Sequence, residues 1–259
     1  MQGAELFNVN FRIMLPDNEV RYISGSVSPV FDNNNNVIRV VGINRDITNR
    51  VVAENTISEY LEKLQATLNG TIELAMNLNS LRDPYTSGHE TRVSMIAKEI
   101  AIIMGLDEFV LEGLSEGGKL HDIGKFVVPV EILSKPGKLS GFEYQLIQTH
   151  CDEGYKVLNV IDFPWPIAEM ALQHHERLDG SGYPQGLIGD EIILEARILA
   201  VADVVESMSS HRPYRAALGI DAALNEIEKG RGRLYDEKVV GACLKLFREQ
   251  GFTISEVSI

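Results

Sequence analysis

The sequence predicts a mainly α-helical protein, an all-helical bundle preceded by a small antiparallel β meander. Near the N-terminus, three segments alternate apolar and polar residues and are rich in Val, Ile, Phe and Tyr, as strands are. Further along, apolar residues recur at helical spacing, and loops rich in Gly and Pro separate the helical segments. We therefore divide the chain into a β segment (1–48), a linker helix (49–81) and a helical domain (82–259).

The composition narrows the function classes. Of the 259 residues, 44% are apolar, an ordinary fraction for a globular protein. The formal charge of −13 argues against duplex nucleic acid as a partner, because such binding needs a cationic face. No apolar run approaches the roughly 18–20 residues that span a membrane, and the N-terminus lacks the pattern of a signal peptide. The two cysteines match no metal or redox spacing, which fits a reduced, cytoplasmic setting.

The β segment is expected to form three strands, at roughly 6–15, 20–30 and 37–47. Turn-forming residues separate them, Pro16-Asp17-Asn18 first and an Asn-rich run over 32–36 second. Three strands with one buried face are near the minimum for independent stability, so we expect this sheet to pack on something else.

The linker helix carries apolar residues at a 4-3-4 spacing that then shifts by one residue, a heptad seam with a stutter. The seam consists of Ile57, Leu61, Leu64, Leu68, Ile72, Ala75 and Leu78. Two interpretations remain open. The helix packs on the core of the next domain, or, as we favour, it forms a parallel homodimer through residues 49–81.

The helical domain is expected to contain seven helices joined by loops. A capping box at Ser140 and Glu143 marks the start of one helix, and Gly117-Gly118 are expected to weaken another. The expected helices are 89–104, 109–125, one from 140, one from 164–166 to 174–175, 194–210, 221–229 and 236–250. Three of them carry candidate site residues: His121 and Asp122 in the second, His150 in the third and Asp203 in the fifth. Loops are expected at 126–137 and 176–190.

Two adjacent pairs, His121-Asp122 and His174-His175, carry most of the chemical information. A single histidine on a helix is usually a hydrogen-bonded core residue, but two such pairs in one helical domain favour a binuclear metal site. Neighbouring helical residues point about 100° apart, so a His-Asp pair serves two ions only if the carboxylate bridges them. Asp203, an acid amid apolar residues, needs a partner and is better explained as a ligand than as a hydrogen-bonded core acid. Lys125 lies four residues after His121, which would set an ammonium beside the ions.

The order of several motifs extends this interpretation. They are G-H-x-x-R-V (88–93), L-H-D-I-G-K (120–125), I-L-x-K-P-G-K-L (132–139), His150, H-H-E-R-x-D-G-S-G-Y-P (174–184), A-D (202–203) and R-P-Y-R (212–215). Together they resemble the HD-GYP family of cyclic di-GMP phosphodiesterases, within the HD phosphohydrolase superfamily. The resemblance covers about residues 81–250.

The resemblance implies hydrolysis of cyclic di-GMP to pGpG, with further cleavage to GMP left open, by a site holding two divalent ions, iron or manganese. It implies the ligand set His89, His121, Asp122, His150, His174, His175 and Asp203, with Asp122 and Lys125 in catalysis. One ion would take His89, His121, Asp122 and Asp203, and the second would share Asp122 with His150, His174 and His175. Substrate contacts would come from Lys125, Asp179, Gly182, Tyr183, Arg212 and Arg215.

The sequence departs from the family pattern at two informative positions. Some members hold a third ion with a glutamate four residues before the first ligand histidine, but here that position is Tyr85, so we expect two ions. The acid after Asp203 is Glu206, where many members have aspartate. The Gly182-Tyr183-Pro184 loop is also implied as a contact for a GGDEF-type or other signalling partner.

The first fifty residues resemble the C-terminal half of a PAS domain, through 18–23 and 41–48. The usual front half, with two strands and small helices, is missing. Either the segment belongs to a longer domain or it pairs with another chain. Two alternative functions also stay open: a weakly active or inactive cyclic-dinucleotide receptor, and a phosphohydrolase for another cyclic dinucleotide or a nucleotide monophosphate.

Overall fold

A computed structural model describes residues 7–82, 88–210 and 217–254. The fold is mainly helical with a three-stranded antiparallel sheet at the N-terminus, so the predicted fold class is confirmed. The chain forms two compact units that divide between Asn69 and Gly70. Among the described residues, no helix is both long enough and apolar enough to cross a membrane.

The N-terminal unit contains β1 (Phe7–Met14), β2 (Val20–Phe31) and β3 (Val37–Asp46), paired in that order. The second turn is fixed by Asp32, whose carboxylate accepts the backbone N–H groups of Asn34 and Asn36, both at 2.8 Å. Such side-chain acceptance is why an Asp-Asn run ends a strand and reverses the chain.

Helix α1 (Thr48–Arg82) follows the sheet directly, as the heptad pattern predicts. The side chains of Ile57, Leu61 and Leu64 are 59%, 61% and 65% exposed. Their spacing places them along one stripe of the helix. The predicted dimer through this stripe stays a prediction.

The C-terminal unit is built around α2 and α8, which pack together and against α3 and α10. Ile96, Ile100, Leu114 and Leu199 are fully buried between them. The helices of this unit after α1 are α2 (His89–Met104), α3 (Glu108–Leu120), α4 (Val130–Leu133), α5 (Gly141–Gln148), α6 (His150–Leu158), α7 (Ile167–Gln173), α8 (Leu194–Ser209), α9 (Ile220–Lys229) and α10 (Glu237–Leu244).

The glycine pair in α3 serves close packing. The helix runs without interruption through Gly117 and Gly118, and both are buried. A β-carbon on Gly118 would lie 2.6 Å from the α-carbon of Ser94 in α2. Gly118 thus lets α2 and α3 approach closely, and Gly117 makes room for the Met170 side chain of α7, so both glycines have a packing role besides their low helix propensity.

Helix α3 ends earlier than predicted, at Leu120 rather than 125. His121 is its C-terminal cap, and a 3₁₀ turn (Ile123–Val127) follows, in which Lys125 N–H donates to the carbonyl of Asp122 at 2.9 Å. His121 and Lys125 therefore do not share an α-helical face. The turn instead curls Lys125 back over Asp122.

Two further boundaries differ from the predictions. The capping box at Ser140 is confirmed, since Glu143 N–H donates to the Ser140 hydroxyl at 3.3 Å and Ser140 N–H donates to the Glu143 carboxylate at 2.7 Å. The helix it opens stops before His150, which begins α6. The final predicted helix is likewise divided, because a π-helical turn (Lys245–Glu249) follows α10.

Candidate metal centre

The structure brings the seven predicted ligand residues together in the C-terminal unit. Six of them lie at or next to a helix end, so that the adjacent helical turn determines their position. The seventh lies within α8. His89 begins α2, His121 and Asp122 follow α3, His150 begins α6, His174 and His175 follow α7, and Asp203 is in α8.

Asp122 lies between two groups of side chains, and each of its oxygens faces one group. Its Oδ2 is 3.6 Å from His89 Nε2 and 3.4 Å from His121 Nε2. Its Oδ1 is 3.5 Å from His150 Nε2 and 3.8 Å from His174 Nε2. The ligand atoms of each group lie within 4.8 Å of one another, with Asp203 in the His89 group and His175 in the His150 group.

These distances fit cation coordination better than hydrogen bonding. Two ligand atoms about 2.0–2.2 Å from one ion are separated by roughly 3–3.5 Å. Three buried atoms that face the centre have no hydrogen-bond partner: Nε2 of His89, Nε2 of His121 and Oδ1 of Asp122. Unpaired buried lone pairs are costly, and a shared cation would satisfy all three, so the residues present fit divalent metal ions.

The ring orientation of three imidazoles is set by backbone carbonyl groups. In each case Nδ1 is 2.7–2.8 Å from the carbonyl oxygen three residues earlier, in the last turn of a helix where carbonyls lack helical partners. The pairs are His121 with Gly118, His150 with Ile147, and His174 with Ala171. Because Nδ1–H donates outward, Nε2 presents its lone pair to the centre.

The protonation states suit ligands for a cation. Burial lowers the pKa of His175 to about 3 and holds the pKa of His174 well below its ordinary value. Burial alone would raise the pKa of Asp122, but Lys125 and His121 hold it well below the usual range. Burial also opposes ionisation of Asp203, but the imidazole of His89, whose Nε2 is 3.4 Å from Asp203 Oδ1, keeps the pKa of Asp203 well below normal. At neutral pH His174 and His175 are therefore neutral, and Asp122 and Asp203 are ionised. Burial alone would lower the pKa of His89, but Asp122, Asp203 and Glu206 raise this pKa well above its ordinary value.

Lys125 is placed at the edge of the centre. Its ammonium forms an ion pair with Asp122 Oδ2, and its side chain is 16% exposed. The Lys125 ammonium is thus fixed beside the candidate metal-binding residues and is still partly exposed to solvent, where a substrate would enter.

The Gly-rich loop after His175 folds back on the centre. Its anchor is Glu176, whose carboxylate accepts backbone N–H groups from Gln185, Gly186 and Leu187 at 2.7, 3.1 and 3.1 Å. The ring of Tyr183 stacks on His175, with 4.7 Å between centroids. The loop therefore places the half-buried ring of Tyr183 against His175 of the His150 group.

Two other predicted substrate contacts, Asp179 and Gly182, have structural contacts in the Gly-rich loop. Asp179 accepts the Ser181 hydroxyl at 2.5 Å and pairs with Arg233 at 3.1 Å, so it braces the loop. Gly182 lies where a β-carbon would collide with the backbone of Glu176. Arg212, Arg215 and Tyr85 fall outside the described residues.

Two buried acids near the centre were not predicted as functional. Glu206 accepts His89 Nδ1–H on one oxygen and Arg92 Nε–H, at 2.6 Å, on the other. Glu176 organises the Gly-rich loop. The spacing of Glu206, three residues after Asp203 on the same face of α8, was the available signal; Glu176 had only its position after the histidine pair.

Comparison with known proteins places this geometry in context. A family model described as HD domain matches residues 73–239. The chain is 39% identical to a cyclic di-GMP phosphodiesterase of Thermotoga maritima over 76% of this chain and 54% of that protein. It is 44% identical to the cyclic di-GMP phosphodiesterase response regulator RpfG of Xanthomonas campestris, over 63% and 44%. It is 36% identical to the 3'3'-cGAMP-specific phosphodiesterase 3 of Vibrio cholerae, over 77% and 44%. The chain thus spans about half the length of these curated relatives.

Two solved structures share the fold. A cyclic GMP-AMP-specific phosphodiesterase of Vibrio cholerae, V-cGAP3, superposes with a TM-score of 0.52 at 24% identity, over 69% of this chain and 49% of that one. The HDG"Y"P protein Bd1817 of Bdellovibrio bacteriovorus gives a TM-score of 0.52 at 18% identity, over 62% and 51%. At these identities the likeness concerns the fold alone.

Proposed function

The chain belongs to the HD domain family, and we propose that it hydrolyses a phosphodiester bond of a cyclic dinucleotide, with cyclic di-GMP as the first candidate. The observation that carries this proposal is the split geometry of Asp122, whose two oxygens face two separate groups of imidazoles. A carboxylate placed in this way suits a bridge between two ions, the arrangement used for in-line displacement at phosphorus. The curated relatives, which are named as phosphodiesterases, support the substrate class.

In this proposal the seven residues hold two divalent ions. His89, His121 and Asp203 hold one, and His150, His174 and His175 hold the other, with Asp122 common to both. When bound, such ions supply Lewis-acid polarisation of the phosphoryl group and a nucleophile at neutral pH. The mixture of imidazole and carboxylate ligands suits iron or manganese.

The remaining residues would bind and orient the substrate. The Lys125 ammonium lies beside Asp122, where it would offset charge on a non-bridging phosphate oxygen and pass a proton to the departing 3′ oxygen. The Tyr183 ring covers one flank of the centre, and Gly182 lets the loop carrying it approach the backbone of Glu176. Arg212 and Arg215 are proposed to hold phosphates, and Asp179 to keep the loop in shape.

We also propose an organisation for the rest of the chain. Residues 1–48 would be a PAS-like sensory segment, 49–81 a dimer helix and 82–259 the catalytic domain. The exposed stripe of Ile57, Leu61 and Leu64 supports the dimer. The Gly182-Tyr183-Pro184 loop would contact a GGDEF-type or other signalling partner. A cytoplasmic setting agrees with Cys151 and Cys243 being free, buried thiols.

The test is turnover of cyclic di-GMP by protein loaded with Mn(II), or with Fe(II) under anaerobic conditions, followed by chromatography of pGpG and GMP. 3'3'-cGAMP belongs in the same panel, because one group of relatives is named for it. Asp122→Asn should abolish turnover, whereas Asp162→Asn, in the loop before α7, should not.

The outcomes separate the candidates. Hydrolysis of cyclic di-GMP that depends on Asp122 supports the proposal. Faster hydrolysis of 3'3'-cGAMP would transfer the proposal to that substrate. Tight binding of cyclic di-GMP without hydrolysis, by metal-loaded protein, would refute the enzyme and favour the receptor.

A further inference from the structure

The imidazole of His89 is held differently from its neighbours. His121, His150 and His174 each donate Nδ1–H to a neutral backbone carbonyl. His89 instead donates Nδ1–H to the carboxylate of Glu206. The partner of a ligand imidazole sets both its orientation and its basicity, and a carboxylate raises basicity more than a carbonyl does.

Glu206 is itself fixed on all sides. Its side chain is 1% exposed, and Oε2 accepts His89. The other oxygen, Oε1, accepts Arg92 Nε–H at 2.6 Å and the Ser210 hydroxyl at 2.6 Å. A carboxylate with both oxygens engaged cannot rotate, so it determines the direction of His89 Nε2 toward the centre.

The two ligand groups consequently differ in charge. The His89 group has Asp203 in addition to the shared Asp122, and Glu206 lies directly behind its imidazole. The His150 group has three imidazoles and the shared Asp122 alone as its acid. A divalent cation is held more strongly where more carboxylate charge surrounds it.

We infer that Glu206 is a positioning residue that makes the two ion positions unequal, with the ion at His89 bound more tightly. The inference rests on the proposed function, since it requires that the centre hold two ions. It assigns to Glu206 an effect on one ion and not on the other. Loss of a partner of this kind typically costs about 10–100-fold in metal affinity.

The experiment is calorimetric titration of the metal-free chain with Mn(II), together with metal analysis after desalting. The unaltered chain should show two resolved affinities. Glu206→Gln, which keeps the shape but removes the charge, should weaken the tighter site about 10–100-fold and leave the other unchanged. After desalting, this variant should retain less manganese than the unaltered chain.

Two controls separate positioning from general destabilisation. Arg92→Met removes one of the two donors to Glu206 Oε1 but leaves the Ser210 hydroxyl on that oxygen and the carboxylate on His89, so the two affinities should stay unequal. Glu228→Gln removes an exposed acid that pairs with Arg248 and lies in α9, outside the candidate metal centre, and should keep both affinities. If Glu206→Gln fails to fold by circular dichroism, Glu206→Asp replaces it, and weakening confined to one site is expected.

Equal affinities in the unaltered chain, or weakening of both sites or neither in the Glu206 variant, would overturn the inference. An Arg92→Met variant that loses one ion as readily as the Glu206 variant does would also overturn the inference. No manganese binding by the unaltered chain would instead refute the two-ion site of the proposed function.

Discussion

Replacing Gly124 by alanine is expected to destabilise the helical unit and to disturb the candidate metal centre at the same time. Gly124 lies in the 3₁₀ turn that carries Lys125 and faces the backbone of α6. A β-carbon there would lie 2.5 Å from the backbone nitrogen of Gly154 and would also overlap the carbonyl oxygen of His150. Since both are backbone atoms, no rotamer change relieves the overlap.

The magnitude follows from these contacts. Non-bonded carbon contacts are optimal at about 3.5–4.0 Å, so turn and helix must separate by roughly 1 Å. Overpacking of this kind costs about 1–3 kcal/mol, and we expect about 3 kcal/mol because backbone must move. The same shift would carry His150 away from Asp122, and a displacement of about 1 Å in an active site can cost 10²-fold in rate.

The assay is urea unfolding of metal-free protein followed by fluorescence of Trp165, the only tryptophan in the sequence. It lies just before α7 and therefore reports on the helical unit. Gly141→Ala is the matched control, because a β-carbon at this first residue of α5 meets nothing within 4 Å. That variant should be unchanged or more stable by about 0.4–1 kcal/mol. Unfolding midpoints that coincide for the two variants would refute the reasoning.

Three further outcomes are expected. Lys125→Met should lower kcat by about 10²–10³-fold and leave the bound ions in place, since the ammonium pairs with a ligand without being one; parallel loss of ions and activity, measured together, would contradict this. Metal-free protein should unfold at lower urea at pH 5 than at pH 7. The lowered pKa values of His150, His174 and His175 mean that the unfolded chain takes up protons below about pH 6.5 while these folded imidazoles do not. The raised pKa of His89 acts in the opposite sense and is outnumbered, so equal midpoints at the two pH values would show that the three lowered imidazoles do not dominate. Finally, Leu61→Glu combined with Leu64→Glu should convert a dimer into a monomer in sedimentation equilibrium, and an unchanged mass would exclude α1 as the dimer contact.

That the seven predicted ligand residues lie close together was predictable from the sequence, but the way their side chains are held was not. Histidine and aspartate in adjacent pairs are rare enough in a helical domain to predict a shared centre. The end of α3 at Leu120 was not predictable, because periodicity continues through Ile123 and no proline or capping glycine marks the stop. It follows from tertiary packing, which requires the turn at Gly124 to touch α6.

Gly117 and Gly118 also show that local sequence does not reveal how helices pack against one another. Local propensity treats a glycine pair as a weakness in a helix. In the fold, the absence of a β-carbon on Gly118 allows α2 and α3 to approach closely, and its absence on Gly117 leaves room for Met170 of α7. Propensity describes the isolated segment, whereas the cost of glycine in α3 is outweighed by contacts between helices that no local pattern displays.

Helix ends explain why the centre forms where it does. A carbonyl in the last turn of a helix lacks its usual partner, and three of these carbonyls accept Nδ1–H of an imidazole three residues later. One hydrogen bond therefore satisfies the helix end, selects the ring tautomer and points Nε2 inward. The Nδ1–H of His89 is held instead by the carboxylate of Glu206 in α8. The ring of His89 is therefore oriented by packing between α2 and α8, whereas the other three rings are oriented by the helix end that precedes each of them.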